Sequence, residues 1–266
     1  MTSRRSAGLA LFGGAALAAS AGSAQATETQ LSVFEAVADA TIFAEQTGGT
    51  LYDAVADGRG GNLWTSVLAA GVVRRALVRF DLSALPAGAQ VVSVQVEAFM
   101  IRLREPQTIT LHRITAPWGE GPANGGDAGI GAPASAGDCT WSHRVWPNQP
   151  WAMRGGDFLT SASAGAAVSG WPAPVLWANT PELVDDVQGW IEAPASNHGW
   201  MLIGTESGTQ NASRLASREN SGASGRPRLR VSWRPQSADG DVPLPLWALA
   251  LFGASAGLAL WRRGRS

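Results

Sequence analysis

Two long stretches in which apolar and polar residues alternate define the class of fold open to this chain. In Arg75–Leu82, the residues Ala76, Val78, Phe80 and Leu82 share one face and Arg75, Arg79 and Asp81 the other. After the turn Pro86-Ala87-Gly88-Ala89, a run from Val91 to Leu103 places Val92, Val94, Val96, Ala98 and Met100 together, opposite Ser93, Gln95 and Glu97. Period two puts successive side chains on opposite faces of a strand, so each stretch predicts a strand with one buried face. Shorter strands are expected at 31–37, 40–44, 63–67, 108–115, 157–163, 175–178, 199–204, 214–217 and 228–233. Many short strands separated by turn chemistry predict an all-β, antiparallel jelly-roll β-sandwich.

One helix breaks this pattern. Thr180 is suited to its N-cap, Pro181 to its first position and Glu182 to its first turn. Leu183, Val184, Val187, Trp190 and Ile191 recur at helical spacing, so one short helix packs a face on the sheets before Pro194 stops it. The 32 glycines and 15 prolines supply the turns. Residues 121–137 are almost entirely Gly, Ala, Pro, Ser, Asn and Asp and read as a long flexible loop. Cys139 has no second cysteine to pair with, so stability rests on the apolar core. A net charge of −1 gives no electrostatic case for nucleic acid.

Both ends read as targeting segments. Arg4 and Arg5 precede an apolar stretch from Ala7 to Ala19, and Ala24-Gln25-Ala26 is a small-x-small cleavage site. Residues 1–26 are therefore expected to be a secretory signal peptide, removed by signal peptidase to leave Thr27 first. After a polar linker at 235–242, Pro243-Leu244-Pro245 leads into an apolar run of roughly 18 residues, about the minimum for a transmembrane helix. Arg262, Arg263 and Arg265 follow it, which places the C-terminus on the cytoplasmic side and the domain outside. This motif, helix and arginine cluster at 243–266 resemble the C-terminal sorting signals of the PEP-CTERM type, with Leu244 where that motif carries Glu. The resemblance implies a membrane sorting protease that removes the helix; a plain membrane anchor is the other reading. The chain is expected to be exported and held at the inner membrane by this helix, then to act at the cell surface or outside.

Within residues 27–234, an ordered set of segments is similar to the DNRLRE-type domain, a secreted jelly-roll module grouped with carbohydrate-binding modules. The segments are Arg74–Leu82 with Leu85–Ala89, Leu111-His112-Arg113, Trp118–Gly121, Thr140-Trp141, Gly155–Phe158, Val187–Trp190, Asn197–Trp200 and Arg214–Glu219. The resemblance implies a β-sandwich and a non-catalytic role in sugar binding; it transfers no binding residues.

Sugar rings stack on aromatic faces, which directs attention to the 12 tryptophans. Trp141, Trp146 and Trp151 recur five apart, fitting neither helix nor strand period, and lie among Arg144, Asn148 and Gln149. These six residues are the candidate ligand-binding set, with Trp118 and Trp171 as companions; the competing reading is that the rings cover an end of the sandwich. For structural calcium, oxygen ligands come from loop carboxylates and carbonyls. Asp53, Asp57 and Asn62 flank the turn Gly58-Arg59-Gly60-Gly61 with Asp39 nearby, although the same residues also suit ordinary turns. No catalytic set emerges: the spacing of Glu97, Glu120, Asp157, Glu206 and Glu219 selects no carboxylate pair. The expected function is a module binding extracellular polysaccharide. A structural surface protein making protein contacts is the alternative, and a glycan-active enzyme the third.

Overall fold

The computed structural model describes residues 28–44, 54–68, 71–208 and 210–236. The expected signal peptide, the C-terminal tail and Asp53 lie outside these residues.

The described residues form strands β1 (Gln30–Phe43), β2 (Val55–Asp57), β3 (Asn62–Val67), β4 (Val73–Phe80), β5 (Gln90–Leu103), β6 (Gln107–Arg113) and β7 (Ala132–Pro133). They continue with β8 (His143–Val145), β9 (Gln149–Pro150), β10 (Ala164–Val168), β11 (Ala173–Trp177), helix α1 (Pro181–Glu192), β12 (Trp200–Ile203), β13 (Ser213–Ala216) and β14 (Arg228–Arg234). The all-β class with one packed helix therefore stands. Residues expected as a strand at 157–163 contribute only an isolated bridge, between Ile114 and Phe158.

The two layers of strands are joined through β1 and β3, which each take part in both. Strands β1, β4, β3, β13, β5 and β14 pair in a closed ring, with β12, β6 and β10 continuing in that order from β4 and β11 added to β5. Two corners close the ring. The first half of β1 pairs with β14 and, past a bulge between Ala36 and Ala38, its second half pairs with β4. Strand β3 turns in the same way, from β13 at Asn62–Thr65 to β4 at Ser66 and Val67. Ser66 has φ 72° there, a conformation that costs a non-glycine residue and persists where its surroundings fix it. Its hydroxyl donates to Gln107 Oε1 at 2.6 Å, and Asn211 Oδ1 accepts the next backbone N–H at 2.8 Å. Period-two patterning reveals which face a strand buries but not which neighbour each half takes.

The interior follows the alternation. Ala76, Val78, Phe80 and Leu82 from one side meet Val94, Val96, Ala98 and Met100 from the other. Val92, expected on this face, is 41% exposed because the register shifts there: Ser93 pairs with Ser232 but Val91 with Trp233, so Val91 packs on the core in its place. Helix α1 closes one side: Thr180 Oγ1 accepts the Leu183 N–H at 3.1 Å, and Leu183, Val187 and Trp190 are buried. Trp190 packs edge-on against Trp200, whose ring also meets Phe80. Asp186 Oδ2 ties the helix down by accepting from Ser163 Oγ at 2.6 Å and from Trp200 Nε1 at 2.7 Å.

The second face of the β1–β4–β12 region is also covered. Residues 114–158 fold over it, burying Trp118, Cys139 and Trp151 against Ala38, Ala40, Leu77 and Met201. The Gly-rich loop at 121–137, expected to be flexible, is held by hydrogen bonds. Ala123 O accepts from the N–H groups of Gly58 and Arg59. The Asp138 carboxylate accepts from Ala123 N and Ser135 N, and β7 pairs with β2. These bonds satisfy backbone groups in a segment that has little apolar surface of its own. No helix among the described residues is long and apolar enough to cross a membrane.

Candidate functional site

The three tryptophans differ in exposure. Trp151 is 5% exposed and donates its Nε1–H to Thr140 O at 2.9 Å. Trp141 is half-buried beneath the Arg75 guanidinium, 4.7 Å from the ring centroid. Trp146 is half-buried with His143 edge-on to its ring. Arg144 Nη1 donates to Pro117 O, while Asn148 and Gln149 stay exposed at the turn of the β8–β9 hairpin. Trp151 is thus a core residue, since a large ring recovers most free energy when its apolar body is covered and its N–H paired. Trp118 is buried likewise, its N–H on His198 O. Trp171 is 53% exposed in the β10–β11 turn.

A groove lies elsewhere, across β3, β13 and β5. Its larger part encloses about 620 Å³ between the 124–129 segment and the 219–225 loop, lined by Asn62, Phe99, Ile101, Asp127, Arg214 and Asn220. A smaller part of about 200 Å³ continues past Trp64, Arg102 and Arg104, sharing Asp127 and Arg214. Phe99 faces out by alternation with Met100, and a register shift between Met100 and Arg102 leaves Ile101 on the outer side while Leu103 returns to the core.

The charges in the groove are unusual. Arg214 on β13 stands directly opposite Arg102 on β5. Like charges at such a cross-strand position are destabilising. Among the described residues, none of Arg102, Arg104 and Arg214 forms an ion pair, and Arg214 Nε is buried without a partner. The Arg214 guanidinium lies 5.7 Å from the Trp64 ring centroid and the fully buried Arg74 lies 5.0 Å from it. Burial pushes the Arg74 pKa down to about 10, and its Nη1 donates to Gly129 O at 3.0 Å. Sequence reasoning missed this set, because Arg102 and Arg214 meet only through strand pairing.

The metal candidates divide between two places. Asp39, buried, joins Glu120 and Glu219, their carboxylate oxygens within 4.8 Å of one another, a group able to hold a metal ion. Burial raises the Asp39 pKa well above 3.8, and the neighbouring Glu219 and Glu120 add to the shift. Burial raises Glu219 as well. Arginines already meet these charges: Arg218 Nε and Nη2 each donate to Glu120 at 2.6 Å, and the Arg218 N–H reaches Asp39 Oδ2 at 2.7 Å. Glu120 lies 81 residues from Asp39 in sequence, which is why spacing could not select it.

Asp57 and Asn62 form the other place, apart from Asp39. Asp57 Oδ1 accepts from Gly60 N at 2.9 Å and Gly125 N at 3.0 Å, and Asn62 Nδ2 donates to Asp127 Oδ1. Burial, together with Asp127 and Asp138, pushes the Asp57 pKa up to about 6. The other carboxylates considered for catalysis are dispersed: Glu97 is on Arg230, Glu206 on Arg75, and Asp157 accepts the N–H groups of Ala152 and Met153. No family model matches the chain, and no curated protein matches it.

Proposed function

We propose that the chain is an exported, non-catalytic module of jelly-roll type that holds an acidic extracellular polysaccharide in the groove across β3, β13 and β5. The observation that carries this reading is the facing pair Arg102 and Arg214, like charges that form no ion pair among the described residues although Asp127 and Glu219 also line the groove. Such a pair lowers stability unless an anion meets it. Guanidinium groups present forked donors that match carboxylates and sulfates, so a uronate or sulfated chain supplies the missing partner. Phe99 and Trp64 offer ring surface beside them. The signal peptide and tail deliver the module outside the cytoplasm, and its similarity to DNRLRE-type domains supports the same role.

Affinity electrophoresis of the purified chain tests this reading. Gels containing a polyuronate should retard it and gels containing a neutral glucan should not. Equal mobility in both would remove the acidic-glycan reading.

The structural-protein alternative draws support from one observation. Trp171, 53% exposed, and Leu176, 48% exposed, mark the β11 edge of the sheet, where an open edge and apolar side chains suit a protein partner. The enzyme reading has Glu120 and Glu219 as its nearest approach to a carboxylate pair, but the two oxygens of Glu120 are occupied by Arg218.

A further inference from the structure

Asp57 sits at the start of the turn joining β2 to β3, and Asn62 at its end. Asp57 is 3% exposed. Its two carboxylate oxygens are treated very differently. Oδ1 receives both available N–H groups, from Gly60 and Gly125. Oδ2 is buried and has no hydrogen-bond partner among the described residues. Buried carboxylate oxygens are normally met by donors or cations, and a proton placed on Oδ2 would itself need an acceptor.

Two glycines let the chain close around this carboxylate. A Cβ on Gly60 would stand 2.4 Å from Oδ1 and 2.7 Å from Oδ2, and one on Gly125 would stand 2.5 Å from the Gly131 backbone and 3.0 Å from Oδ2. Neither glycine has a positive φ, so conformational freedom does not explain glycine at these positions. At Gly60 the Asp57 carboxylate is what a side chain would strike first; Gly125 also makes room for the backbone of Gly131. Asp127, exposed and held by the Asn62 amide, adds a second negative charge, and no arginine pairs with Asp57 or Asp127 among the described residues. The Asp39 group differs in this respect, because Arg218 and Arg59 already lie against its acids.

We propose that Asp57 Oδ2, an Asp127 carboxylate oxygen and the Asn62 amide oxygen bind a hard divalent cation of the calcium class between the β2–β3 turn and the 124–127 segment. Calcium takes six to eight oxygens in flexible geometry, so backbone carbonyls and water complete the shell around these three. The ion ties the 124–127 segment to the turn and sets the position of Asp127, which lines the groove. The inference does not rest on the glycan reading, since the ion is measured without any glycan.

The test is thermal melting of the full chain in millimolar calcium and in excess chelator, with calorimetric titration of calcium itself. Calcium should raise the melting temperature by about 3–6 °C, as a saturating ligand of the folded state does for a domain of this size. Asp57→Asn, which keeps an acceptor for Gly60 and Gly125, should lose the rise. Asp127→Asn, a change at an exposed residue, should reduce or lose it, while Asp39→Asn should keep it. Identical wild-type melting in calcium and chelator would overturn the proposal. A calcium response that survives both Asp57→Asn and Asp127→Asn, or that disappears only in Asp39→Asn, would overturn it equally.

Discussion

Arg214 and Arg102 face each other across the β13–β5 pairing, and Arg214 also lies against the Trp64 ring. Arg102 and Arg104 are exposed. Substituting either by Ala should therefore change stability by no more than about 0.5 kcal/mol, and Arg102→Ala should stabilise slightly by relieving the repulsion. The same variants should bind a polyuronate more weakly. Wild-type retention should fall as salt is raised, because exposed charge attractions are screened over about 10 Å at 0.1 M. Melting curves and salt-dependent gel retardation check the two halves.

Trp151 and Trp146 should separate in stability. Trp151 is buried with its N–H paired, so Trp151→Ala should cost about 3–5 kcal/mol. Trp146 is only half-buried, and Trp146→Ala should cost distinctly less. Denaturant unfolding of both variants reads the difference. Equal losses would mean that the 141–151 segment packs differently.

Phe80 is 1% exposed and packs on Trp200, whereas Arg79 points to the opposite face, 5.6 Å from the Trp118 ring centroid. Phe80→Asp places a carboxylate without a partner in the core and should unfold the domain, since the cost rivals the roughly 5–15 kcal/mol that holds a domain together. Arg79→Ala gives up a ring contact of about 1 kcal/mol. Circular dichroism should show Phe80→Asp unfolded and Arg79→Ala folded with a modestly lower melting temperature.

Asp186 predicts a pH dependence. Its burial raises the carboxyl pKa above 3.8, against the lowering influence of Ser163, Trp200 and Arg113. The folded state therefore holds this proton more tightly than the unfolded state. The resulting stabilisation is complete below the unfolded value and is lost as pH rises through the folded one. Between about pH 4 and the raised value, wild type should become less stable with rising pH through this group. Asp186→Asn should flatten that slope in melting curves taken in chelator.

The alternation at Arg75–Leu82 and Val91–Leu103 made the two main strands legible, as did the capping of α1 by Thr180, because these signals are local. The corners at Ala36–Ala38 and Ser66 were not legible: a change of partner midway along a strand leaves the period-two pattern intact. Residues 121–137 carry no apolar pattern, so the hydrogen bonds that engage them, through backbone N–H and C=O groups and the Asp138 carboxylate, had no signal in the sequence. The tryptophans at 141, 146 and 151 were legible as a cluster but not as to exposure, since sequence does not show that Thr140 O meets one ring N–H and Arg75 covers another ring. Asp57 and Asn62 could be singled out from their turn, but their neighbour Asp127 comes from a distant loop. The facing of Arg102 and Arg214 depends on strand register and was invisible.

Calorimetric titration of wild type and Arg214→Ala with an oligouronate, beside a neutral oligosaccharide of equal length, tests the central claim most directly. The account predicts that wild type binds the oligouronate and not the neutral chain, and that Arg214→Ala, still folded by circular dichroism, loses about tenfold or more in affinity, the effect of one charge-assisted contact. Equal wild-type affinity for the charged and neutral chains, or unchanged oligouronate affinity in Arg214→Ala, would contradict it.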